Sequence, residues 1–198
     1  MNTSCQILNL KIDAFARAFG FFDDLLVDDA EKVHDILAEL IVAMHLNEEG
    51  FTDVTKLPGK ISEDGEERPC ADFLATRKSK RYAVEVKTVR MERDLEDDVV
   101  YDGSGESNWW RKMFSSNAVT KVEDKSQRAV RQLENTKEHY NCDYKMLAIV
   151  SRRLGPSTLL SHCELLVELS QLSSCYPEID YFFAELYFGD FAFYPRLG

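Results

Sequence analysis

Three residues with side chains suited to catalysis are predicted to lie close together in the first half of the chain. The run RYAVEVKTVR, residues 81–90, places Glu85 and Lys87 two positions apart in a pattern typical of a β-strand. Side chains alternate between the two faces of a strand, so this carboxylate and this ammonium group are predicted to share a face. The preceding run CADFLAT contributes a second carboxylate, Asp72. Two carboxylates beside an amine can hold a metal ion and act on a phosphate ester.

The two carboxylates are expected to face each other across a β-hairpin. A turn centred between Lys78 and Ser79 pairs Asp72 with Glu85 and brings Lys87 to the same face. Opposed residues on antiparallel strands have Cβ atoms about 5 Å apart, where two like charges are destabilising unless a cation neutralises them. Mg²⁺ suits such a site, because it binds through one or two carboxylates and keeps several waters. Mn²⁺ is expected to be able to substitute for it.

The spacing of apolar residues predicts the elements that position these groups. One domain spanning residues 1–198 is expected from the length. Its fold class is α/β, with a central mixed β-sheet flanked by helices. A polar turn region is expected at 59–68, a long acidic loop insertion at 91–120, and a C-terminal hairpin with its two-residue turn at Gly189 and Asp190. Helices are predicted at 12–22, 29–46, 124–140 and 159–172, and strands at 51–57, 70–76, 82–89 and 145–151.

This pattern resembles the PD-(D/E)xK nuclease superfamily, whose restriction endonuclease-like core is a helix, three strands, a helix and a strand. The resemblance covers roughly residues 29–151. It implies that Asp72, Glu85 and the backbone carbonyl of Val86 hold the metal ion. It also implies that Lys87 orients or activates the attacking water.

The resemblance implies further site residues on the two helices. Glu39 is a candidate for the extra carboxylate that first helices of this superfamily direct at the metal, and an ordinary surface glutamate is the alternative. Gln127 and Arg131 lie one turn apart on helix 124–140, where RecB-like members place a glutamine or a basic residue near the scissile phosphate. Gln132 also fits that motif, but it is predicted to point away from the apolar stripe, so Gln127 is preferred.

The overall charge is unusual for a protein that binds nucleic acid. With 35 acidic and 24 basic residues the net charge is -11, whereas such proteins are usually basic. Binding to DNA must therefore depend on local basic patches, for which an ordinary solvated turn or helix face is the alternative. The residues expected to bind nucleic acid are Lys78, Lys80, Arg81 and Arg131.

Several other classes of protein are disfavoured by the sequence. The five cysteines form no CxxC pair, and the four histidines lack the spacing of a zinc site. The scattered, odd number of cysteines favours a reducing cytoplasm. The first ten residues do not resemble a signal peptide, and no stretch is apolar enough to span a bilayer.

We therefore predict a magnesium-dependent nuclease that hydrolyses phosphodiester bonds in DNA and acts as a homodimer. Asp72 and Glu85 are predicted to hold the metal, and Lys87 to position the attacking water. The sequence does not separate DNA from RNA as the substrate. The alternative is a noncatalytic protein that keeps the nuclease fold and uses its acidic surface to bind a protein partner.

Overall fold

A mixed six-stranded β-sheet lies at the centre of the fold. The computed structural model describes residues 30–63, 65–90, 117–152, 162–186 and 190–197. In chain order the described elements are α1 (Ala30–Glu48), β1 (Thr52–Lys56), β2 (Lys60–Glu63), β3 (Glu66–Pro69), β4 (Phe73–Arg77), β5 (Lys80–Arg90), α2 (Asn117–Tyr140), β6 (Tyr144–Arg152), α3 (His162–Cys175), β7 (Tyr181–Leu186) and β8 (Asp190–Tyr194).

The sheet has the order β1-β4-β5-β6-β7-β8. Its two central pairs, β5–β6 and β6–β7, are parallel, and the other pairs are antiparallel. The α/β class and the mixed sheet flanked by helices are therefore confirmed. Among the described residues, no helix is long and apolar enough to cross a membrane.

Helices cover both faces of the sheet because its strands are apolar on both sides. Helix α1 packs on one face through Ile36, Leu40 and Ala43, against strand residues such as Phe73 and Val84. The opposite face is covered by α2 and α3. Its core contains Ala83, Ala129, Leu133, Leu147 and Leu169. Strand β5 consequently lies between two helical layers, and any charged side chain near its middle is shielded from water.

The hairpin of β4 and β5 has the predicted register. Phe73 pairs with Val84, and Arg77 pairs with Lys80. The two turn residues, Lys78 and Ser79, have positive φ angles of 48° and 61°. This is the backbone geometry of a type I′ turn, whose twist matches that of the flanking strands.

The structure corrects the predicted polar turn region at 59–68. Residues there form a second hairpin from β2 and β3 instead of a loop. Ile61 is 4% exposed and packs against Leu57 and Cys70, so one inward-facing apolar side chain anchors this polar hairpin. Gly65 in the turn has a φ of 83°, which glycine adopts without the strain of a side chain.

Several other boundaries differ from the predictions. The strand predicted at 70–76 begins only at Phe73. Asp190 is the first residue of β8 and pairs with Leu186, so it belongs to a strand and not to the predicted two-residue turn; Gly189 lies outside the described residues. Residues 117–120, assigned to the loop insertion, begin α2. The remainder of that insertion, 91–116, and the predicted helix at 12–22 also lie outside the described residues.

We predict that Ser79→Gly stabilises the protein. A left-handed conformation costs a residue with a side chain roughly 1–2 kcal/mol, and glycine avoids most of this cost. The free energy of unfolding in urea should rise by about 0.5–1 kcal/mol, the remainder being offset by the greater freedom of glycine in the unfolded chain. The control is Ser62→Gly in β2, which should lower this free energy, because glycine weakens a strand. A loss of stability in Ser79→Gly would contradict the assigned turn.

Candidate functional site

Asp72 lies immediately before β4, and its carboxylate takes over the role of a strand carbonyl. The backbone N–H of Val86 donates a hydrogen bond of 2.7 Å to Asp72 Oδ2. The backbone of Asp72 is held as well. Its N–H donates to the carbonyl of Val84 at 3.1 Å, and its own carbonyl accepts from the N–H of Leu57 at 2.8 Å. The carboxylate is therefore fixed beside β5 by contacts to both of its neighbouring strands.

The side chain of Glu85 is almost completely buried next to this carboxylate. It is 1% exposed, and its Oε1 accepts a hydrogen bond from Lys87 Nζ. Its Oε2 has no hydrogen-bond donor among the described residues when the group is ionised. A buried carboxylate oxygen without a donor is unfavourable, unless the group is protonated or a cation is bound.

The electrostatics of the site reflect two carboxyl groups in close proximity. Burial raises the pKa of Glu85 well above its usual value, and the negative charge of Asp72 raises it further, while Lys87 opposes both effects. Burial also raises the pKa of Asp72, against the lowering effects of the Val86 N–H, of Lys87 and of a hydrogen bond with the Glu85 carboxyl group. Without a cation, the pair is expected to retain a proton at higher pH than isolated carboxyl groups do.

Lys87 connects this pair to helix α2. Besides its bond to Glu85, Lys87 Nζ donates to Gln132 Oε1 at 3.0 Å. The Lys87 side chain is 21% exposed, so the ammonium group lies at the boundary between the buried carboxylates and solvent. The Gln132 amide in turn donates from Nε2 to the carbonyl of Cys70 at 3.1 Å. These two bonds fix both the ammonium group and the glutamine.

The structure brings Gln132 to the site, and Gln127 is exposed elsewhere on α2. The apolar residues Ala129, Val130, Leu133 and Tyr140 alone suggested a stripe that excludes Gln132. However, two hydroxyl residues, Ser126 and Thr136, are also buried on this helix. Gln132 lies three residues after Ala129 and four before Thr136, so it borders the true buried face. Counting small polar residues as core positions would have identified it.

Glu39 lies within electrostatic range of the carboxylate pair. Its negative charge contributes to the raised pKa of Glu85. The Glu39 side chain is 18% exposed, and its Oε2 lies 3.2 Å from Lys56 Nζ. The predicted extra carboxylate therefore interacts electrostatically with Glu85, and a lysine of β1 lies beside it.

The carbonyl of Val86 also faces this site. The N–H and C=O groups of a strand residue point toward the same neighbouring strand. Because the N–H of Val86 bonds to Asp72 beyond the end of β4, its carbonyl is directed to that side as well. The role of the Val86 carbonyl as a metal ligand stays a prediction.

The basic turn, which comprises Lys78, Lys80 and Arg81, is not near the carboxylates of Asp72 and Glu85. Asp72 and Lys78 are six positions apart, a distance of roughly 20 Å along a strand at about 3.4 Å per residue. Two basic residues that follow the turn, at the start of β5, have structural contacts. Lys80 Nζ lies 2.7 Å from Asp143 Oδ1, and Arg81 Nη1 donates to the carbonyl of Tyr140 at 2.7 Å. Lys78 lies in the turn itself, and Arg131 is exposed on α2. The four residues predicted to bind nucleic acid therefore do not gather at the carboxylates.

A different basic row lies on the flank of α2 that faces the site. Lys125 Nζ donates to the carbonyl of Thr88 at 2.9 Å, one residue beyond Lys87. Arg128 is exposed and lies three residues after Lys125 and four before Gln132. Residues at this spacing form one row along a helix, so Arg128 lies between two residues that contact β5.

The chemistry of the donor set suits a divalent cation with few protein ligands. In the part of the chain that the structure describes, no three His, Cys, Asp or Glu side chains form a metal-binding group. Asp72 and Glu85 together provide two carboxylates, including the oxygen of Glu85 that lacks a donor. Mg²⁺ commonly binds through one or two carboxylates, with water and substrate phosphate as its other ligands.

Comparisons with known proteins give no family model, curated protein or solved structure with a significant match to this chain. The interpretation of the site therefore relies on its own residues, chiefly the contacts of Asp72, Glu85 and Lys87.

We predict that the metal-free protein loses stability as the pH rises above about 4.5, the usual pKa of a glutamate. The raised pKa of Glu85 means that the folded state holds a proton which the unfolded state releases. The contribution of this proton to the free energy of unfolding is fully present below the pKa of Glu85 in the unfolded state. It is lost as the pH rises through the pKa of Glu85 in the folded state, by up to about 1.4 kcal/mol per pH unit for one proton. Urea unfolding in EDTA from pH 4.5 to 8 measures this slope.

Two controls accompany this measurement. Glu85→Gln should flatten the slope, whereas Glu138→Gln, at an exposed position of α2, should leave it unchanged. Saturating Mg²⁺ should raise the stability of the parent at pH 8, because bound ligand stabilises the folded state. An identical slope in the parent and in Glu85→Gln would show that Glu85 does not take up a proton on folding.

Proposed function

We propose that this protein is a magnesium-dependent nuclease of the PD-(D/E)xK type, with DNA as its substrate. The observation that carries the proposal is the arrangement of three groups just before the start of β4. Asp72 accepts from the N–H of Val86, Glu85 is buried beside it, and Lys87 bonds to Glu85. The sequence motif requires this proximity, and chance surface charges would not produce it.

The fold supports the same proposal. A restriction endonuclease-like core has a helix, three strands, a helix and a strand, and we assign these elements to α1, β1, β4, β5, α2 and β6. The hairpin of β2 and β3 is then an addition between the first and second core strands. In this assignment β4 and β5 are antiparallel, and β5 and β6 are parallel.

The proposed metal site comprises the carboxylates of Asp72 and Glu85 and the carbonyl of Val86, with Glu39 as a nearby fourth group. When bound, Mg²⁺ supplies Lewis-acid stabilisation of the scissile phosphate and lowers the pKa of a coordinated water. The protein residues hold the two carboxylates together in a shielded position, where their combined negative charge favours a divalent cation over a monovalent one.

Lys87 is proposed to act on the attacking water and on the charge that develops at the phosphate. Its ammonium group is bonded to Glu85 and Gln132 at the edge of solvent, so it is held in place before substrate arrives. Such preorganised groups stabilise a transition state without reorganising during the reaction. Gln132 is assigned a role in orienting Lys87.

We predict that Asp72→Asn and Lys87→Gln each lower the rate of DNA cleavage by about 100-fold or more, the scale typical of removing a catalytic group. Asp72→Asn keeps an acceptor for the Val86 N–H but removes a metal-binding charge. Lys87→Gln keeps a donor for Gln132 but removes the ammonium group. The assay uses linear, circular, branched and single-stranded DNA, with RNA alongside, in Mg²⁺ or Mn²⁺.

The matched controls are Asp53→Asn and Lys60→Gln, which change exposed residues of β1 and β2. Both controls should cut at the rate of the parent. Cleavage of RNA alone would move the substrate class to RNA. If the folded parent cuts none of these substrates, the nuclease proposal fails, and the net charge of -11 favours the alternative of an acidic protein that binds a protein partner.

We also propose that substrate phosphates contact the flank of α2 instead of the basic turn. Arg128 is exposed in the row between Lys125 and Gln132, and Gln132 bonds directly to Lys87. A nucleic acid with its scissile phosphate at Lys87 would therefore place a neighbouring phosphate near Arg128. The partnered residues Lys80 and Arg81 are less available for this contact.

We predict that Arg128→Ala weakens DNA binding and lowers its salt dependence. Removing one phosphate contact should reduce the slope of log K against log salt by about 1. Binding is measured in the Lys87→Gln background, so that the substrate stays intact. The control is Lys78→Asn, which removes the positive charge of Lys78 from the turn. Asparagine tolerates the positive φ of this position. A reduced slope for Lys78→Asn, with none for Arg128→Ala, would assign the contact to the basic turn.

A further inference from the structure

Three consecutive residues before β4 belong to neither sheet and are held by side chains of α2. They are Cys70, Ala71 and Asp72, between the end of β3 and the start of β4. The N–H of Ala71 donates to Thr136 Oγ1 at 2.7 Å. The carbonyl of Cys70 accepts from Gln132 Nε2 at 3.1 Å. We call these three residues the Asp72 segment.

A second set of contacts holds the Asp72 segment from the opposite side. The N–H of Cys70 donates to the carbonyl of Gly59 at 3.1 Å, and the N–H of Leu57 donates to the carbonyl of Asp72 at 2.8 Å. The segment is therefore fixed between α2 and the connection from β1 to β2. These hydrogen bonds replace the sheet ladder that would otherwise fix its backbone.

Thr136 differs from the neighbouring α2 residue Asn135 because its side chain is completely buried. Its exposed fraction is 0%, and its hydroxyl accepts from Ala71 while donating to the carbonyl of Gln132 at 2.8 Å. Asn135, which donates to the carbonyl of Pro69 at 2.8 Å, forms an exposed hydrogen bond. Water can replace the bond of Asn135, whereas the buried N–H of Ala71 has no such substitute.

We propose that Thr136 is a positioning residue for Asp72. Its hydroxyl fixes the peptide that immediately precedes Asp72, and thereby keeps the carboxylate on the N–H of Val86 and next to Glu85. Describing Asp72 as a metal ligand rests on the proposed function. The positioning role itself rests only on the hydrogen bonds.

Loss of this hydroxyl has a specific structural consequence. Thr136→Val keeps the shape of the side chain but leaves the N–H of Ala71 buried without an acceptor. The Asp72 segment relieves this by moving toward solvent, and the Asp72 carboxylate then leaves the N–H of Val86. The amide of Val86 therefore reports the position of Asp72 without requiring metal or substrate.

The experiment measures amide hydrogen exchange by NMR in the parent and in variants of Thr136, all free of metal. In Thr136→Val, the exchange rate of the Val86 amide should rise, and this rise should exceed that of the reference amide by about tenfold or more. The reference is Tyr82, which pairs with Ala75 in the same hairpin and reports general loss of stability. Thr136→Ser keeps the hydroxyl and should restore slow exchange at Val86.

The matched control is Asn135→Ala, which removes the neighbouring exposed contact and should leave the ratio of Val86 to Tyr82 exchange unchanged. An unchanged ratio in Thr136→Val would overturn the proposal. If Thr136→Val does not fold, Thr136→Ser decides the question, because rapid exchange at Val86 in that variant would show that the hydroxyl is insufficient to place Asp72.

A titration with Mn²⁺ alone separates this inference from the proposed function. If the parent binds Mn²⁺ and Asp72→Asn does not, Thr136→Val should weaken binding by about tenfold or more through misplacement of the ligand. If the parent does not bind Mn²⁺ but Val86 exchange rises as expected in Thr136→Val, the positioning role stands and the nuclease proposal fails.

Discussion

The position of the carboxylate pair of Asp72 and Glu85 depends on the hydrogen bond from the N–H of Val86 to the carboxylate of Asp72. Strand β4 begins only at Phe73, so the N–H of Val86 meets a side chain where a longer strand would present a carbonyl. This substitution directs an acidic group toward the middle of the sheet and satisfies a backbone donor at the same time. The end of one strand, between two layers of helices, thereby becomes a place where charge can be concentrated.

That concentration of charge opposes stability. Glu85 is surrounded by protein, and the negative charges of Asp72 and Glu39 both disfavour its ionised form. Hydrogen bonds from Val86 and Lys87 offset part of the cost, but one oxygen of Glu85 has no donor among the residues described. An apolar pair at these positions would be expected to give a more stable protein. Retaining such a pair is typical of a functional site, in which a bound cation or a transferred proton completes the arrangement.

Turn and alternation rules, which use only neighbouring residues, predict the hairpin of β4 and β5. They do not predict the contacts that other elements make with this hairpin. The two-residue turn at Lys78 and Ser79 fixes the register, and alternation then places Glu85 and Lys87 on one face, so these features could be predicted from the sequence. The contact of Gln132 depends on which side of α2 packs on the sheet, and buried hydroxyls such as Thr136 shift that side. The contacts of the basic turn depend on Asp143 and Tyr140, which are about sixty positions away in the chain and are brought there only by the fold.

Helix α2 is attached to β5 at two widely separated points. Lys125 bonds to the carbonyl of Thr88 near one end, and Arg81 bonds to the carbonyl of Tyr140 at the other. Glu85 and Lys87 lie between these two attachment points on β5. The part of the strand that carries the carboxylate and the ammonium group is therefore clamped to the helix on either side.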